Sequence, residues 1–247
     1  MAAHTPAPST GQPVRSRAVP VPASPVRVSA ESMANAEPWL APLRSPRLRL
    51  RPLTAADRST LLPRMPEIRR HLDPFLPLGA EEDSDAAVLD RQLELTAIGL
   101  AGGTAFRRAA FDRATGEFVG AFNLITIRRG LEFDADMSFW LAPGHTGRGL
   151  AVEGLTALLD HSFAALPAGL GLVAVAGWVQ PDNDRCRCLI QRLGFRRSDE
   201  AGNYLSTGDR WHMHDRWLLT ADRWAANRPV HRQAPRPASG LDLSPDR

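Results

Sequence analysis

Apolar and polar side chains alternate over residues 47–53, RLRLRPL, as they do in a strand with one buried face. Thr54 followed by Asp57 has the form of a helix-start box, which places a short helix next. Residues 84–100, SDAAVLDRQLELTAIGL, read as a second helix. Three strand-like runs follow at 104–112, 117–127 and 132–142, with the turn RATG after the first, and their short links make them antiparallel neighbours. In the last run Asp134, Asp136 and Ser138 fall on one face, and Phe133, Met137 and Phe139 on the other. Residues 151–163 put Val152, Leu155, Leu158, Leu159 and Phe163 on one helical face. GLVAVAGWV, 171–179, has the length and β-branching of a buried strand. DRCRCLIQRLGF, 184–195, spaces Cys186, Leu189, Ile190 and Leu193 by three, four and seven before ending at Gly194. A last strand is expected through residues 210–220, RWHMHDRWLLT.

The expected order is strand, two helices, three strands, helix, strand, helix, strand. Residues 1–41, rich in Pro, Ala and Ser, and 225–247 cannot bury enough apolar surface to offset the entropy of ordering, so they are expected to be disordered extensions of one domain over 42–224. The chain has no lysine, which excludes a lysine Schiff base or a P-loop lysine. Its net charge of +3 sits in the extensions: Arg15, Arg17 and Arg27 against Glu31 and Glu37, and Arg228, Arg232, Arg236 and Arg247 against Asp242 and Asp246. A folded nucleic-acid-binding face is therefore poorly supported. No apolar run approaches the roughly 18 to 20 residues that cross a membrane, and the amino terminus lacks the apolar stretch of a secretory signal, so a cytoplasmic protein is expected. Cys186 and Cys188 are too close in sequence to staple anything, and no metal-ligand spacing involves them.

Between the strand at 132–142 and the helix at 151–163 lies PGHTGRGLA, 143–151, with three glycines, one arginine and no acidic residue. A glycine-rich turn into a helix leaves the first helical amides unpaired, and these attract a phosphate or pyrophosphate; a plain strand-to-helix turn has the same glycines. TGRGLA, 146–151, together with NDRCRCLIQRLGF, 183–195, and this element order, resembles the Gcn5-related N-acetyltransferase (GNAT) superfamily, whose loop has the form [QR]-x-x-G-x-[GA]; Thr146 departs from it at the first position. FWLAPGHTGRGLAVEGL, 139–155, and LRSPRLRLRPLTAAD, 43–57, are similar to the ribosomal-protein alanine N-acetyltransferase (Rim-type) branch. The resemblance implies an α+β fold of three layers, a central mixed and mostly antiparallel sheet flanked by helices.

It also implies acetyl-CoA as donor. Backbone amides of Gly147, Arg148, Gly149, Leu150 and Ala151, with Thr146 at the loop's entry, would hold the pyrophosphate, and Arg148 would add charge. Phe139, Trp140 and Leu141 would pair with the pantetheine arm as with another strand. Asn183 would hydrogen-bond the same arm, and it reads equally as a helix cap.

For the chemistry, Asp136 stands where the Rim-like pattern commonly has a glutamate, and is the expected general base or water-orienting group; a solvated polar strand face is the alternative. The tyrosine that many relatives use as an acid is replaced by Ile190, and the sole tyrosine, Tyr204, lies beyond the helix. Cys186 stands where some Rim-type members have a serine, and reads either as the acid or as a small buried hydrophobe. His212 and His214 suggest substrate contact or an alternative base at His214 rather than a metal site. Glu153, His145 and His161 read as a helix-start charge, a loop residue and a solvent-facing helix residue.

Three function classes stay open: an N-acetyltransferase acting on a protein α-amine or a small primary amine, a GNAT-fold module that binds acyl-CoA without catalysis, and an arginine-rich interaction protein working through its extensions. The amine acceptor is the expected partner, with neither nucleic acid nor membrane. Oligomeric state is open, a homodimer included.

Overall fold

The structure is a computed structural model and describes residues 37–200, 202–207 and 210–231, so the expected extensions lie almost wholly outside the described residues. The elements are α1 (Glu37–Leu40), β1 (Leu43–Arg44), β2 (Leu48–Arg51), α2 (Arg58–Leu61), α3 (Met65–Leu72), α4 (Asp85–Gly102), β3 (Phe106–Asp112), β4 (Phe118–Arg128), β5 (Asp134–Leu141), α5 (Leu150–Phe163), β6 (Ala174–Val179), α6 (Asp184–Arg192), β7 (Arg196–Arg197), β8 (Asn203–Thr207), β9 (Arg210–Thr220) and α7 (Ala221–His231). Every expected element is present. The described residues add α1, β1, β7, β8 and α7, so helix lies on both sides of the limits expected at 42 and 224.

The first expected helix is broken. The Thr54–Asp57 box forms, with the Thr54 amide donating to Asp57 Oδ2 at 2.8 Å. Single turns then step through Pro63 and Pro66, which lack the N–H a continuous helix would use. Helix α4 is uninterrupted: Ser84 Oγ accepts from the Ala87 amide at 3.2 Å, and Gly103 ends the helix at φ 62°.

The strands form one mixed sheet in the order β1-β2-β3-β4-β5-β6-β9-β7, with β8 paired to β9 in a hairpin. All pairings are antiparallel except β5 with β6. On one face Leu150, Leu155, Leu158 and Leu159 of α5 pack with Phe106, Phe122, Leu124, Met137 and Val175. On the other, Leu61, Met65, Ile68, Val88 and Leu89 of the α2–α4 layer pack with Ala109 and Phe118. These are the three layers implied by the resemblance.

Two local expectations change. Phe133 leaves the strand at φ 51° and does not share the face of Met137. His161 is not solvent-facing: its ring packs 4.9 Å from that of Phe106, over which Arg108 stacks at 3.4 Å. Burial, and then the Arg108 charge, push His161 down to about 4, so it is neutral at pH 7.

Gly154 marks where α5 lies closest to the sheet, because any Cβ there would run into the Phe122 ring. Gly154→Val is expected to overpack this contact at a cost of about 1–3 kcal/mol, read as a lower Tm in thermal unfolding. An unchanged Tm would contradict the placement of α5.

Candidate functional site

Parallel pairing of β5 with β6 covers only Asp134↔Ala174 through Met137↔Gly177. Beyond Met137 the strands part, while β5 keeps its partner β4 through Leu141 and β6 keeps β9 through Val179. Opposite the parting, β4 carries an irregularity between Leu124 and Thr126, with Ile125 outside the register. An extra residue of this kind bends a strand and increases its local twist, which carries the end of β5 away from β6. The edge of β5 from Ser138 to Leu141 is thereby open to the gap.

The gap deepens into a cleft of about 900 Å³, walled by the ends of β5 and β6, the loop before α5, one face of α6, His214 of β9 and the segment His71–Leu76 after α3. The loop turns through Gly144, Gly147 and Gly149, at φ 82°, 74° and 76°. Gly149 stands immediately before α5 with its carbonyl taken by the Glu153 amide at 3.2 Å. Among the described residues, the amides from Thr146 through Val152 have no hydrogen-bond partner. Seven consecutive free amides at the positive end of a 14-residue helix form an anion cradle. The loop is braced from behind: Glu153 accepts from the Ser45 hydroxyl at 2.7 Å, the Arg47 amide at 2.6 Å and the Arg47 guanidinium at 2.7 Å, and Arg47 Nη1 donates to the Arg148 carbonyl at 3.0 Å. Burial raises the Glu153 carboxyl, but these bonds outweigh it and hold it below the usual carboxylate range. The expected helix-start charge is thus a clamp between β2 and α5.

The cleft gathers most of the expected site residues: Phe139, Trp140, Leu141, Thr146, Gly147, Gly149, Leu150, Ala151, Asn183, Cys186 and His214 all line it. Arg148 does not; it is exposed and contributes its carbonyl to the brace. Asn183 caps α6, its Oδ1 accepting from the Cys186 amide at 3.1 Å, which leaves its amide NH₂ to donate elsewhere.

Asp136 is placed differently from its expected role. It sits at the foot of the parting, opposite Ala176, and does not line the cleft. Arg128 holds it, with Nη1 2.7 Å from Asp136 Oδ2 and Nε 2.7 Å from Asp134 Oδ1. The bonds to Asp134 and then Asp136 raise the Arg128 pKa. His214, by contrast, is buried against the cleft, and its Nδ1 lies 2.8 Å from the His212 carbonyl oxygen. A carbonyl oxygen can only accept, so Nδ1–H donates to it, and Nε2 is the ring nitrogen left for another partner.

Burial pushes the thiol of Cys186, expected either as an acid or as a small buried hydrophobe, up to about 12, which favours the second reading. It packs as a small hydrophobe against the core. Tyr204, paired with Met213 on the hairpin, is exposed and outside the cleft. His145 is buried in the loop with Nε2 3.4 Å from Glu117. Among the described residues no three His, Cys, Asp or Glu side chains group as a metal site, and no helix is long and apolar enough to cross a membrane.

Periodicity did not reveal Gln180 or the His71–Leu76 rim. Gln180 ends β6, is buried, and donates through Nε2 to the Phe75 carbonyl at 3.4 Å, tying the rim to the sheet. A glutamine at the carboxyl end of a strand, just before PDND, was the available signal.

The two cysteines should react differently with iodoacetamide at pH 8: Cys188 is exposed, whereas Cys186 is partly buried and its thiol is pushed up to about 12. Labelling of Cys186 is expected to be at least tenfold slower by peptide mass spectrometry. Equal rates would contradict its placement.

The comparisons with known proteins agree with this geometry. The profile described as Acetyltransferase (GNAT) domain matches residues 47–196. The [ribosomal protein uS5]-alanine N-acetyltransferase of Escherichia coli is 27% identical over 126 residues, 51% of this chain and 63% of that protein, so the chain spans less than two thirds of this curated relative's length. The solved structure of Mycobacterium smegmatis RimJ in complex with CoA-disulfide superposes with a TM-score of 0.62 at 27% identity, covering 75% of this chain and 92% of that one. A ribosomal-protein-S5-alanine acetyltransferase from Vibrio fischeri superposes at 0.64 with 19% identity, covering 74% and 98%, and shows the shared fold. With the profile covering more than half of its length, the chain belongs to the GNAT acetyltransferase family.

Proposed function

We propose that this protein is an acetyl-CoA-dependent N-acetyltransferase acting on a primary amine, either a protein α-amine or a small molecule. The observation that carries the proposal is the parting of β5 from β6 beside seven partnerless amides, from Thr146 to Val152. A nucleotide pyrophosphate fits that cradle, and an amide-containing arm fits the open edge of Ser138–Leu141 as a further strand would. The relatives support it: one is named for acetylating the alanine of ribosomal protein uS5, and another was solved with a CoA-disulfide.

Acetyl-CoA, when bound, supplies a thioester carbonyl for a neutral amine to attack. The chain must then hold two groups together and remove a proton. Gly147, Gly149 and Leu150 anchor one end of the donor, the β5 edge aligns its arm, and Asn183 has a free NH₂ for the same arm. This pre-pays the entropy of bringing acceptor and carbonyl together. His214 is the base, with its tautomer set by the His212 carbonyl and its place in the cleft wall. An α-amine, near pKa ~7.7–8.0, asks little of such a base; a lysine, near ~10.4, asks more. Asp136, 2.7 Å from Arg128, stands at the foot of the parting. The departing thiolate, of ordinary pKa ~8.5, needs no obligatory acid, which removes any need for Cys186 in that role.

The test is free-thiol release from acetyl-CoA with an amine panel that includes a ribosomal-protein peptide beginning with alanine. His214→Gln is expected to lower kcat by about 10²-fold or more, and Asp136→Asn by less than about tenfold, with CoA affinity near that of the unsubstituted protein in both. The reverse ranking would make Asp136 the base. No turnover with any amine, alongside intact CoA binding, would leave a binding module instead.

A further inference from the structure

A second, smaller cavity lies on the α2–α4 side of the sheet. It has a volume of about 40 Å³, and Met65, Ile68 and Leu78 contribute to its apolar wall. Five polar residues belong to its lining: Gln92 and Thr96 of α4, Arg107 and Arg108 of β3 and Asn123 of β4. No carboxylate is among the lining residues.

Arg107 is the anomaly. Its guanidinium has no ion pair and no side-chain hydrogen bond among the described residues, and its Nε is buried without a partner. Burial pushes its pKa down, and no carboxylate raises it again. Arg108, its neighbour, is more deeply buried and also has a partnerless Nε and no ion pair among the described residues, but its Nη atoms donate to the Trp39 and Arg107 carbonyls and its guanidinium stacks over Phe106, whereas no such contacts hold the Arg107 guanidinium. Nothing in the fold accounts for Arg107. A partly buried cation without a counter-charge is a ready contact for an anion that arrives from outside.

Three features connect the cavity to the cleft. Trp140 is a wall of both. Arg107, Asn123 and Ser138 stand side by side across β3, β4 and β5 in the register of the sheet. Asn123, which lines the cavity, donates through Nδ2 to the hydroxyl of Ser138, which lines the cleft, at 3.5 Å. The cavity wall at Met65 and Ile68 and the rim of the cleft at His71 and Phe75 also belong to one stretch of chain, α3 and the turn after it.

The geometry points to the cavity as the far end of the acceptor site, with Arg107 receiving a carboxylate of the acceptor. This rests on the acetyl-transfer reading given above and names the acceptor's class: an amine that also carries a carboxylate. A water needs roughly 10–15 Å³, so the cavity suits a group of two or three heavy atoms. Two strand spacings separate β3 from β5, and side chains stand roughly perpendicular to the sheet, which puts amine and carboxylate on the order of 10 Å apart. An ω-amino acid or a peptide amino terminus with an acidic side chain two residues on meets that distance. A polyamine, cationic along its length, does not suit Arg107.

Matched acceptors differing only in charge test the assignment: 6-aminohexanoate against 6-aminohexanamide, and Ala-Ala-Glu-amide against Ala-Ala-Gln-amide, each with acetyl-CoA. The unsubstituted protein is expected to prefer the carboxylate at least tenfold in kcat/KM, with the difference in KM, and Arg107→Met should bring the ratio to about one. Equal kcat/KM within both pairs, or a preference that survives in Arg107→Met, would overturn the proposal. A rise in Tm with millimolar 6-aminohexanoate, greater than with the amide and lost in Arg107→Met and Arg107→Gln, reads the same contact without turnover. If no amine is acetylated, the transferase reading fails on its own, and the carboxylate-dependent Tm rise still decides whether Arg107 is an anion site: its presence supports the contact and its absence overturns it.

Discussion

The candidate site depends on the ladder between β5 and β6 stopping after four residue pairs. Two parallel strands buried in a sheet normally stay paired, because an unmade backbone hydrogen bond away from water is costly. Here the cost falls on Ser138–Leu141, and under the proposed function an amide-containing donor arm taking the missing strand's place would offset it. The irregularity in β4 at Leu124/Thr126 turns β5, and the pairing of β6 with β9 through Val179 holds the other wall. The gap is therefore held open by the pairings on either side of it.

Around that gap the fold sets charge with care. Glu153 locks the helix start to Ser45 and Arg47, so that the free amides of the loop are held in place while its one acidic neighbour is already satisfied. Arg128 occupies Asp134 and Asp136 at the foot of the same opening. All three of these carboxylates are engaged in bracing, and the titratable side chain that β9 brings to the cleft is a histidine. Arg107 is the converse, a cation whose counter-charge the fold does not supply.

Much of this was legible in the sequence. Leu155, Leu158 and Leu159 fall on one face because helical periodicity needs only local sequence, and all three are buried as expected. The glycine spacing of PGHTGRGLA and the Asn183 cap were equally local signals, and both residues' roles follow from backbone geometry alone. What stayed hidden depends on register. The alternation of β5 puts Asp136 on the correct face, but that Arg128 reaches it follows from a hairpin turn and a bulge that alternation does not encode. Cys186 reads as a candidate acid by position, and only three-dimensional burial shows a thiol that keeps its proton. Strand β8 escaped because its five residues gain their partner only in the hairpin with β9, and the rim at His71–Leu76 because prolines fragment the helix before it.

Amide hydrogen exchange across β5, with and without acetyl-CoA, tests the central claim most directly. If the open edge is where the donor arm pairs, the alternate amides of Ser138–Leu141 that face away from β4, and those in the loop from Thr146 to Val152, exchange quickly in the free protein and become protected on binding, while Asp134–Met137, already paired on both sides, changes little. Binding that leaves both segments unprotected would contradict the account.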